Sequence, residues 1–397
     1  MKNLPKKKCT GCLACSEKCP KHCISLVPNE EGFLYPQINT SQCIHCNLCE
    51  KVCPVLGEYE NRRPIQIYIG YNLNGKIVSQ SSSGGIFTLL AEKIIEEGGV
   101  VFGARFNENW EVVHDYVESS KDLALLRGSK YVQSNVEGSY SKVRSFLKSG
   151  RKVLFSGTPC QIAGLKKFLN IEYENLLAID FICHGVPSSG VWKRYLQDFM
   201  LNHKLDINSN KYCITDIFFR NKTFGWKNFS LSISSSSNLN DDIISIQEPL
   251  NENIYLKGFI DNLYLRPCCY DCHMKSWASG SDINLADAWG IGNYHPELDD
   301  DKGCSIVTLL SSKGEMYFKA IKESGKFIIG SEDFILKHNP AAYHSAKPHK
   351  NRKKFFKLLV DSQYTFPEII HKCLPPPTYM DKVLWSINKR IKKYGQK

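Results

Sequence analysis

Eight cysteines between Cys9 and Pro54 follow one pattern written twice. The first copy is CTGCLACSEKCP, with Cys9, Cys12, Cys15 and Cys19 ahead of Pro20; the second is CIHCNLCEKVCP, with Cys43, Cys46, Cys49 and Cys53 ahead of Pro54. Each cysteine of the second copy lies 34 positions after its counterpart, so the stretch is an internal duplication. In a C-x2-C-x2-C-x3-C-P run, three thiolates wrap one iron–sulfur cube and the fourth, ahead of the proline, reaches the other. The expected sets are Cys9, Cys12, Cys15 and Cys53 for one 4Fe-4S cluster, and Cys43, Cys46, Cys49 and Cys19 for the second. Zinc knuckles or a disulfide framework are the competing readings, but zinc sites usually offer two ligand pairs rather than two interlocked quartets with trailing prolines. Cys23 is spare in this scheme and is expected to pack as a small apolar residue.

Four more cysteines suit a third centre. In FSGTPCQIAGL, Thr158 reads as a helix N-cap, Pro159 as the first helical residue and Gln161 as the partner in a capping box, which puts Cys160 in the first helical turn. The helix dipole there should make its thiol easy to ionise. Cys183 in IDFICHGVPS follows a strand, at the sheet edge where open α/β folds bind ligands. Cys269 and Cys272 form a C-x2-C pair beside Cys268. Two ligands cannot close a site, so Cys160, Cys183, Cys269 and Cys272 together are the expected third set, holding iron–sulfur or zinc; a redox dithiol at Cys269 and Cys272 is the other possibility. Ser83, Gly84 and Gly85 precede a helix, where free backbone N–H groups could meet a phosphate.

The elements that must position these residues alternate. Pro64–Tyr71, Val100–Phe106, Lys152–Ser156 and Leu176–Cys183 read as strands; Gly85–Glu97, Glu137–Gly150 and Pro159–Leu169 read as helices. This succession predicts an α/β domain with a largely parallel sheet. Glu58–Pro64 reads as a polar linker, and Ile233–Asp242 (ISSSSNLNDD) as a surface loop. Asp282–Ala288 and Ser305–Leu310 read as strands and Gly314–Lys326 as a helix. The predicted class is thus α+β or α/β: a small dicluster ferredoxin domain (1–60), then a larger mixed α/β flavin-binding domain in two parts (61–190 and 191–397).

With 397 residues and 42% hydrophobic content, the chain can bury a sizeable core. Its 17 cysteines without an apolar leader imply metal ligation in a reducing cytoplasm. No apolar run is long enough to span a membrane. The formal charge of +11 would raise nucleic acid as a partner, but iron–sulfur clusters and flavin phosphates supply internal negative charge, so no nucleic acid is expected. The tail KRIKKYGQK from Lys389, after an amphipathic stretch Met380–Ile387, is either solvated or a peripheral membrane contact.

Taken in order, these motifs resemble the beta subunit of coenzyme F420 hydrogenase and dehydrogenase, in the version with an N-terminal two-cluster ferredoxin module. The resemblance runs through GGIFTLL, GSKYVQS (Gly128–Ser134), GTPCQIAGL, ICHGVPS, FRNKTFGW (Phe219–Trp226), the C-x2-C pair and SDINLADAWGI. It implies an oxidoreductase that binds FAD and moves electrons between a hydride carrier and one-electron centres; relatives reduce other substrates, including chlorophyll-type pigments. It also implies that Ser83, Gly84 and Gly85 belong to a flavin pocket whose second wall is Gly128, Ser129, Lys130 and Tyr131, with Lys130 offering positive charge to the flavin. Asp287 and Trp289 match the family's Asp-x-Trp-Gly, with Ala286 where a glycine is usual. Arg220 and Lys222 with Trp226 line the substrate entrance or are structural. No catalytic residue stands out. The expected partner is a redox protein or a carrier such as F420, NAD(P)H or ferredoxin; the alternative is an electron-transfer subunit with no substrate of its own. A zinc-bearing nucleic-acid-binding protein is disfavoured by the α/β motifs.

Overall fold

In the computed structural model, residues 4–57, 61–203, 205, 212–237, 243–361 and 363–375 are described; the basic tail and the amphipathic stretch before it lie outside them. The N-terminal module carries a hairpin of β1 (Ile24–Pro28) and β2 (Leu34–Ile38). The large domain is built on eight strands: β3 (Gln66–Asn72), β4 (Val100–Phe106), β5 (Val112–Val117), β6 (Val153–Ser156), β7 (Leu176–Phe181), and, after three strands of a separate sheet, β11 (Ile283–Asp287), β12 (Ser305–Leu309) and β13 (Gly325–Ile329). That separate antiparallel sheet comprises β8 (Tyr212–Asn221), β9 (Ser230–Ser237) and β10 (Ile243–Pro249). The fold is mixed α/β.

The large sheet runs β13-β3-β12-β11-β7-β6-β4-β5. Only its middle is parallel, at β11–β7, β7–β6 and β6–β4; the flanks are antiparallel, which corrects the expectation of a largely parallel sheet. Parallel neighbours need a crossover, commonly helical. Helices Ser139–Lys148 and Pro159–Leu169 supply crossovers into β6 and β7, whereas β5 returns from β4 through a short turn in which Asn107 Oδ1 accepts from Asn109 N and Glu111 N.

Period-two alternation in the middle strands buries both faces. Val100, Phe102, Val153, Phe155, Leu176 and Ala178 pack under helices Ser139–Lys148 and Pro159–Leu169. Val101, Leu154, Leu177 and Ile179 face the other way, toward helix Ile86–Glu96 and helix Ser312–Ile321.

Two further expectations change. Ser230–Ser237 is a strand, not part of a loop: Leu231 and Ile233 alternate inward, each 1% exposed, and serines hide the pattern because Ser232 and Ser235 are buried as well. Residues 238–242 of that stretch lie outside the described residues. The expected helix Gly314–Lys326 ends at Ile321, and Gly325–Ile329 is an edge strand on β3. Ser311 caps the helix by accepting from Gly314 N at 3.1 Å.

The N-terminal module shares its core with the large domain. Phe33 and Tyr35 pack with Trp192, Tyr255 and Phe355, while Leu13, Ala14 and Val52 join Tyr140, Ile162 and Leu165. Of the expected linker, residues 61–64 are described, and Arg62 is anchored there through Nη1 to Ser281 O at 2.8 Å. Among the described residues, no helix is long and apolar enough to cross a membrane.

Candidate functional site

The carboxyl ends of β6 and β7 open on a cleft lined by Cys160, Cys183, Cys268, Cys269 and Cys272, with Thr10 reaching in from the N-terminal module. Cys160 occupies the first turn of helix Pro159–Leu169, whose Thr158 N–H donates to Gln161 Oε1 at 2.9 Å. Cys183 follows β7, and Cys269 and Cys272 sit on and just after the short turn Pro267–Asp271. The four thiols are close enough to perturb one another: burial holds Cys160 well above the ordinary thiol range, and Cys183, Cys272 and Cys269 push it further. Cys183 is pushed up to about 12 by burial, although Lys275 pulls it down. The Cys160 thiol is therefore not the easily ionised one its helix position suggested; desolvation outweighs the dipole. Lys275 Nζ donates to Cys183 O at 2.8 Å and Ala341 O at 2.6 Å, fixing a cation beside the cleft.

The duplicated cysteines divide in space. Burial and then Cys12, Cys9, Cys53 and Cys49 raise Cys15, and Cys53 is raised by burial and by Cys9 and Cys49. Cys53 is thus gathered with the first copy's leading cysteines across the module. Cys19 lies on the opposite side, its Sγ 3.4 Å from Cys23 Sγ, with Cys43 also against Cys23. Cys23 is buried as expected, but among thiols rather than among hydrocarbon alone. Cys46 is exposed, and Cys43 and Cys49 are partly so, whereas Cys9, Cys12, Cys15 and Cys53 are buried.

Cys12 bridges the module to the cleft. A side chain at Gly164, one turn after Cys160, would meet Cys12 Sγ at 2.9 Å, and Cys160 is among the groups that raise Cys12 to about 12, after burial. Gly164 lets the two thiol groups approach. Among the described residues, no three His, Cys, Asp or Glu side chains are grouped as one metal ion would require. Thiols spread around a larger centre suit a four-iron cube better than a single tetrahedral zinc ion.

The expected flavin residues lie on the same edge of the sheet. Ser83 Oγ donates to Cys304 O at 2.8 Å, and Gly84 N donates to Ser305 Oγ at 2.8 Å, tying the turn to β12. Gly85 caps helix Ile86–Glu96 with a left-handed φ of 79°. Ser129 N donates to Ser82 Oγ at 2.7 Å, joining the two expected walls. Gly128 also has a left-handed φ, 82°. Lys130 Nζ donates to Leu125 O at 3.2 Å and Arg127 O at 2.9 Å, and burial, followed by Arg105, lowers it to about 7. Tyr131 stacks on Phe259 with centroids 4.6 Å apart.

Lys222 and Trp226 serve structure. Lys222 Nζ bonds three carbonyls, those of Val78, Ser83 and Lys302, and Trp226 Nε1 donates to Asp287 Oδ1 at 3.0 Å. Trp226 stacks on Trp289 at 4.6 Å and 8°. Arg220 differs: Nη1 donates to Asp287 Oδ2 at 2.6 Å, but Nε and Nη2 are buried without partners, over the Trp289 ring. Two orphaned guanidinium donors beside aromatic rings fit the polar edge of a bound ring system or an anion.

Several residues of the site were not singled out from sequence. Gln133 Nε2 donates to Thr10 O at 2.9 Å, and His114, between Ser134 Oγ (2.8 Å) and Ser156 O (2.9 Å), supports the end of β6. Their contacts span long sequence separations, and no local motif marks them.

Residues 150–333 match the family of the C terminus of the coenzyme F420 hydrogenase/dehydrogenase beta subunit, and residues 8–56 match the 4Fe-4S dicluster domain. In Methanosarcina mazei, the F-type subunit of the F(420)H(2) dehydrogenase is 22% identical over 185 residues, 44% of this chain and 53% of that protein. An uncharacterised polyferredoxin-like protein of Methanocaldococcus jannaschii is 29% identical over 72 residues, 16% of this chain and 43% of that one. The chain thus spans about half the length of the curated relatives it matches. A chain of the F420-reducing NiFe hydrogenase complex from Methanosarcina barkeri superposes with a TM-score of 0.43 at 17% identity, covering 77% of this chain and 91% of that one, a likeness too loose to bear on the architecture. This protein therefore joins a 4Fe-4S dicluster domain, residues 8–56, to a domain of the C-terminal family of coenzyme F420 hydrogenase/dehydrogenase beta subunits, residues 150–333.

Proposed function

We propose that this chain is an iron–sulfur flavoprotein oxidoreductase subunit that carries electrons between a hydride carrier or substrate at FAD and a redox partner protein. The observation that carries the reading is a continuous line of thiols: exposed Cys46 at the surface, Cys9, Cys12, Cys15 and Cys53 inside, and Cys160, Cys183, Cys269 and Cys272 at the sheet edge, with Cys12 against the helix of Cys160. A bound flavin exchanges electrons in pairs or singly, and 4Fe-4S clusters exchange them singly.

The chain's own residues do the holding. The interlocked quartets Cys9, Cys12, Cys15, Cys53 and Cys43, Cys46, Cys49, Cys19 would each bind one cube, and the sheet-edge quartet a third. Arg220 presents two unmade hydrogen bonds where the flavin's polar edge would sit, and Asp287 fixes its guanidinium. Ser82 and Ser129 keep the turns at Ser83–Gly85 and Gly128–Tyr131 together. Burial of the inner thiols excludes water from the path.

One observation favours the alternative, an electron-transfer subunit with no substrate of its own. Ser83 Oγ and Gly84 N spend their hydrogen bonds on β12 rather than offering them to a phosphate. Anaerobic purification decides: the oxidoreductase reading expects about twelve iron atoms and about one FAD per chain, with the flavin bleached by reduced F420, NADH, NADPH or reduced ferredoxin when each is tried in turn. Iron without flavin leaves the electron-transfer subunit, and a colourless zinc protein removes both.

A further inference from the structure

Arg266 has no solvent exposure at all, 0%. It directly precedes the turn that carries Cys268 and Cys269, yet its guanidinium points into the N-terminal module. Nε donates to Cys9 O at 2.7 Å, Nη2 to Leu34 O at 2.9 Å, and Nη1 to Gln133 Oε1 at 2.8 Å. Nη2 also stands 3.8 Å from Cys9 Sγ. The rings of Tyr35 and Phe33 lie 4.4 Å and 5.2 Å from the guanidinium carbon. Among the described residues, no carboxylate pairs with this cation; the acidic groups around it are Cys9, Cys268, Tyr35 and Cys269.

The Cys9–Cys12 loop is moulded on this group. Gly11 has φ +69°, and a side chain there would meet Gln133 Nε2 at 2.7 Å and Arg266 Nη1 at 2.8 Å. A buried cation is costly unless negative charge compensates it. Arginine remains protonated under any working condition, so the compensation must come from its neighbours. Those neighbours belong to two different thiol sets, one in each domain.

We propose that Arg266 is a shared countercharge between the inner ferredoxin-type cluster at Cys9 and the sheet-edge cluster at Cys269, and that it draws electrons from the exposed outer cluster onto this buried pair. The proposal rests on the three-cluster reading above. An electron leaving the outer cluster oxidises that cluster by one and reduces the inner cluster by one, with no proton or co-reactant required. A fixed positive charge in a low-dielectric site favours the reduced, more negative state of whichever cluster is near, and the effect weakens with distance. Arg266 is a positioning residue, holding the Cys9 loop as well as biasing the electron.

The test is an anaerobic redox titration followed by electron paramagnetic resonance, with iron counted on every sample. In the unaltered chain, the signal lost in Cys46→Ala, which marks the outer cluster, is expected to be the last to appear on reduction; if it appears first, the proposal falls. In Arg266→Gln with full iron, the buried clusters are expected to become at least about tenfold harder to reduce, 59 mV for one electron. Arg266→Lys should recover most of that shift, because the charge is kept although the fork is lost. Unmoved potentials in Arg266→Gln overturn the proposal. Should Arg266→Gln lose its iron, the order of reduction in the unaltered chain and the potential of Arg266→Lys decide. About twelve iron atoms in the unaltered chain are a separate condition, and a count well below that removes the three-cluster reading rather than the role of Arg266.

Discussion

Cys160 is a thiol pulled in two directions. Its place in a helix's first turn favours the thiolate by a fraction of a kcal/mol up to about 1, while burial penalises the charge by several times as much. A thiol held protonated by its surroundings becomes a thiolate when a cationic centre replaces the proton. Replacing Cys160 by Ser is therefore expected to lower iron from about twelve to about eight per chain and to spare the dicluster domain; unchanged iron would show that the cleft holds no cluster. His114 gives the pH-dependent counterpart. Buried between Ser134 and Ser156, it is lowered from 6.5 to about 4, chiefly by burial. Below pH 6.5 the unfolded chain takes up a proton that the folded chain refuses, so this residue's contribution to stability shrinks as pH falls. From pH 7 to pH 5 the loss is about 2 kcal/mol. Asp180, raised from 3.8 to about 6 by burial, acts in the opposite sense over part of that range, because the folded chain keeps a proton the unfolded chain releases. The pH dependence of the unaltered chain therefore partly cancels. Denaturant unfolding of His114→Gln should show stability falling less toward pH 5 than in the parent, and parallel curves would contradict the assignment.

At the level of elements, the glycine turn before helix Ile86–Glu96 does two separate jobs. Gly85 supplies a left-handed backbone, and a side chain there would meet Ile77 and Asn72 rather than an open pocket. Gly84 supplies close approach: a Cβ would lie 2.7 Å from the Gly70 carbonyl oxygen on β3 and 3.0 Å from Ser305 on β12. Gly84→Ala must push the turn off both strands, at a cost of about 1–3 kcal/mol. The same displacement moves Ser82 away from Ser129, so FAD should dissociate more readily, measured as flavin lost on gel filtration. Stoichiometric FAD in a folded Gly84→Ala chain would place the pocket elsewhere. Much of this element level was readable early. The helix Pro159–Leu169 with its cap, the strands ending at Ser156 and Phe181, and the glycine turn all follow from local residues. What was not readable was strand direction at the flanks of the sheet, because antiparallel neighbours need no crossover and leave no helix to mark them.

Across the whole molecule, the N-terminal module is fused to its neighbour rather than tethered. Gly32 and Gly190 meet backbone to backbone, a Cβ on Gly32 lying 2.6 Å from Gly190 Cα. Glu31 takes both Arg352 nitrogens at 2.6 Å, and Ser188 Oγ donates to Glu31 O at 2.6 Å. These contacts hold Cys12 against Gly164, so module position sets the gap between the thiol groups. Gly190→Leu should wedge the module away and lower the melting temperature by several degrees, with faster proteolytic release of residues 1–57. If melting and cleavage are unchanged, the module is not held by this contact.

Spacing along the chain determined the chemistry: two interlocked cysteine runs, a capped helix bearing Cys160 and a C-x2-C pair, because ligand loops and helix caps are local and leave local signatures. Tertiary structure alone decided which thiols meet and what charge lies among them. Cys12 touches the Cys160 helix only because Gly164 is bare, and Arg266 reaches Cys9 across 257 positions of sequence. A buried countercharge has no sequence pattern, since what makes it stable is the set of distant groups that surround it.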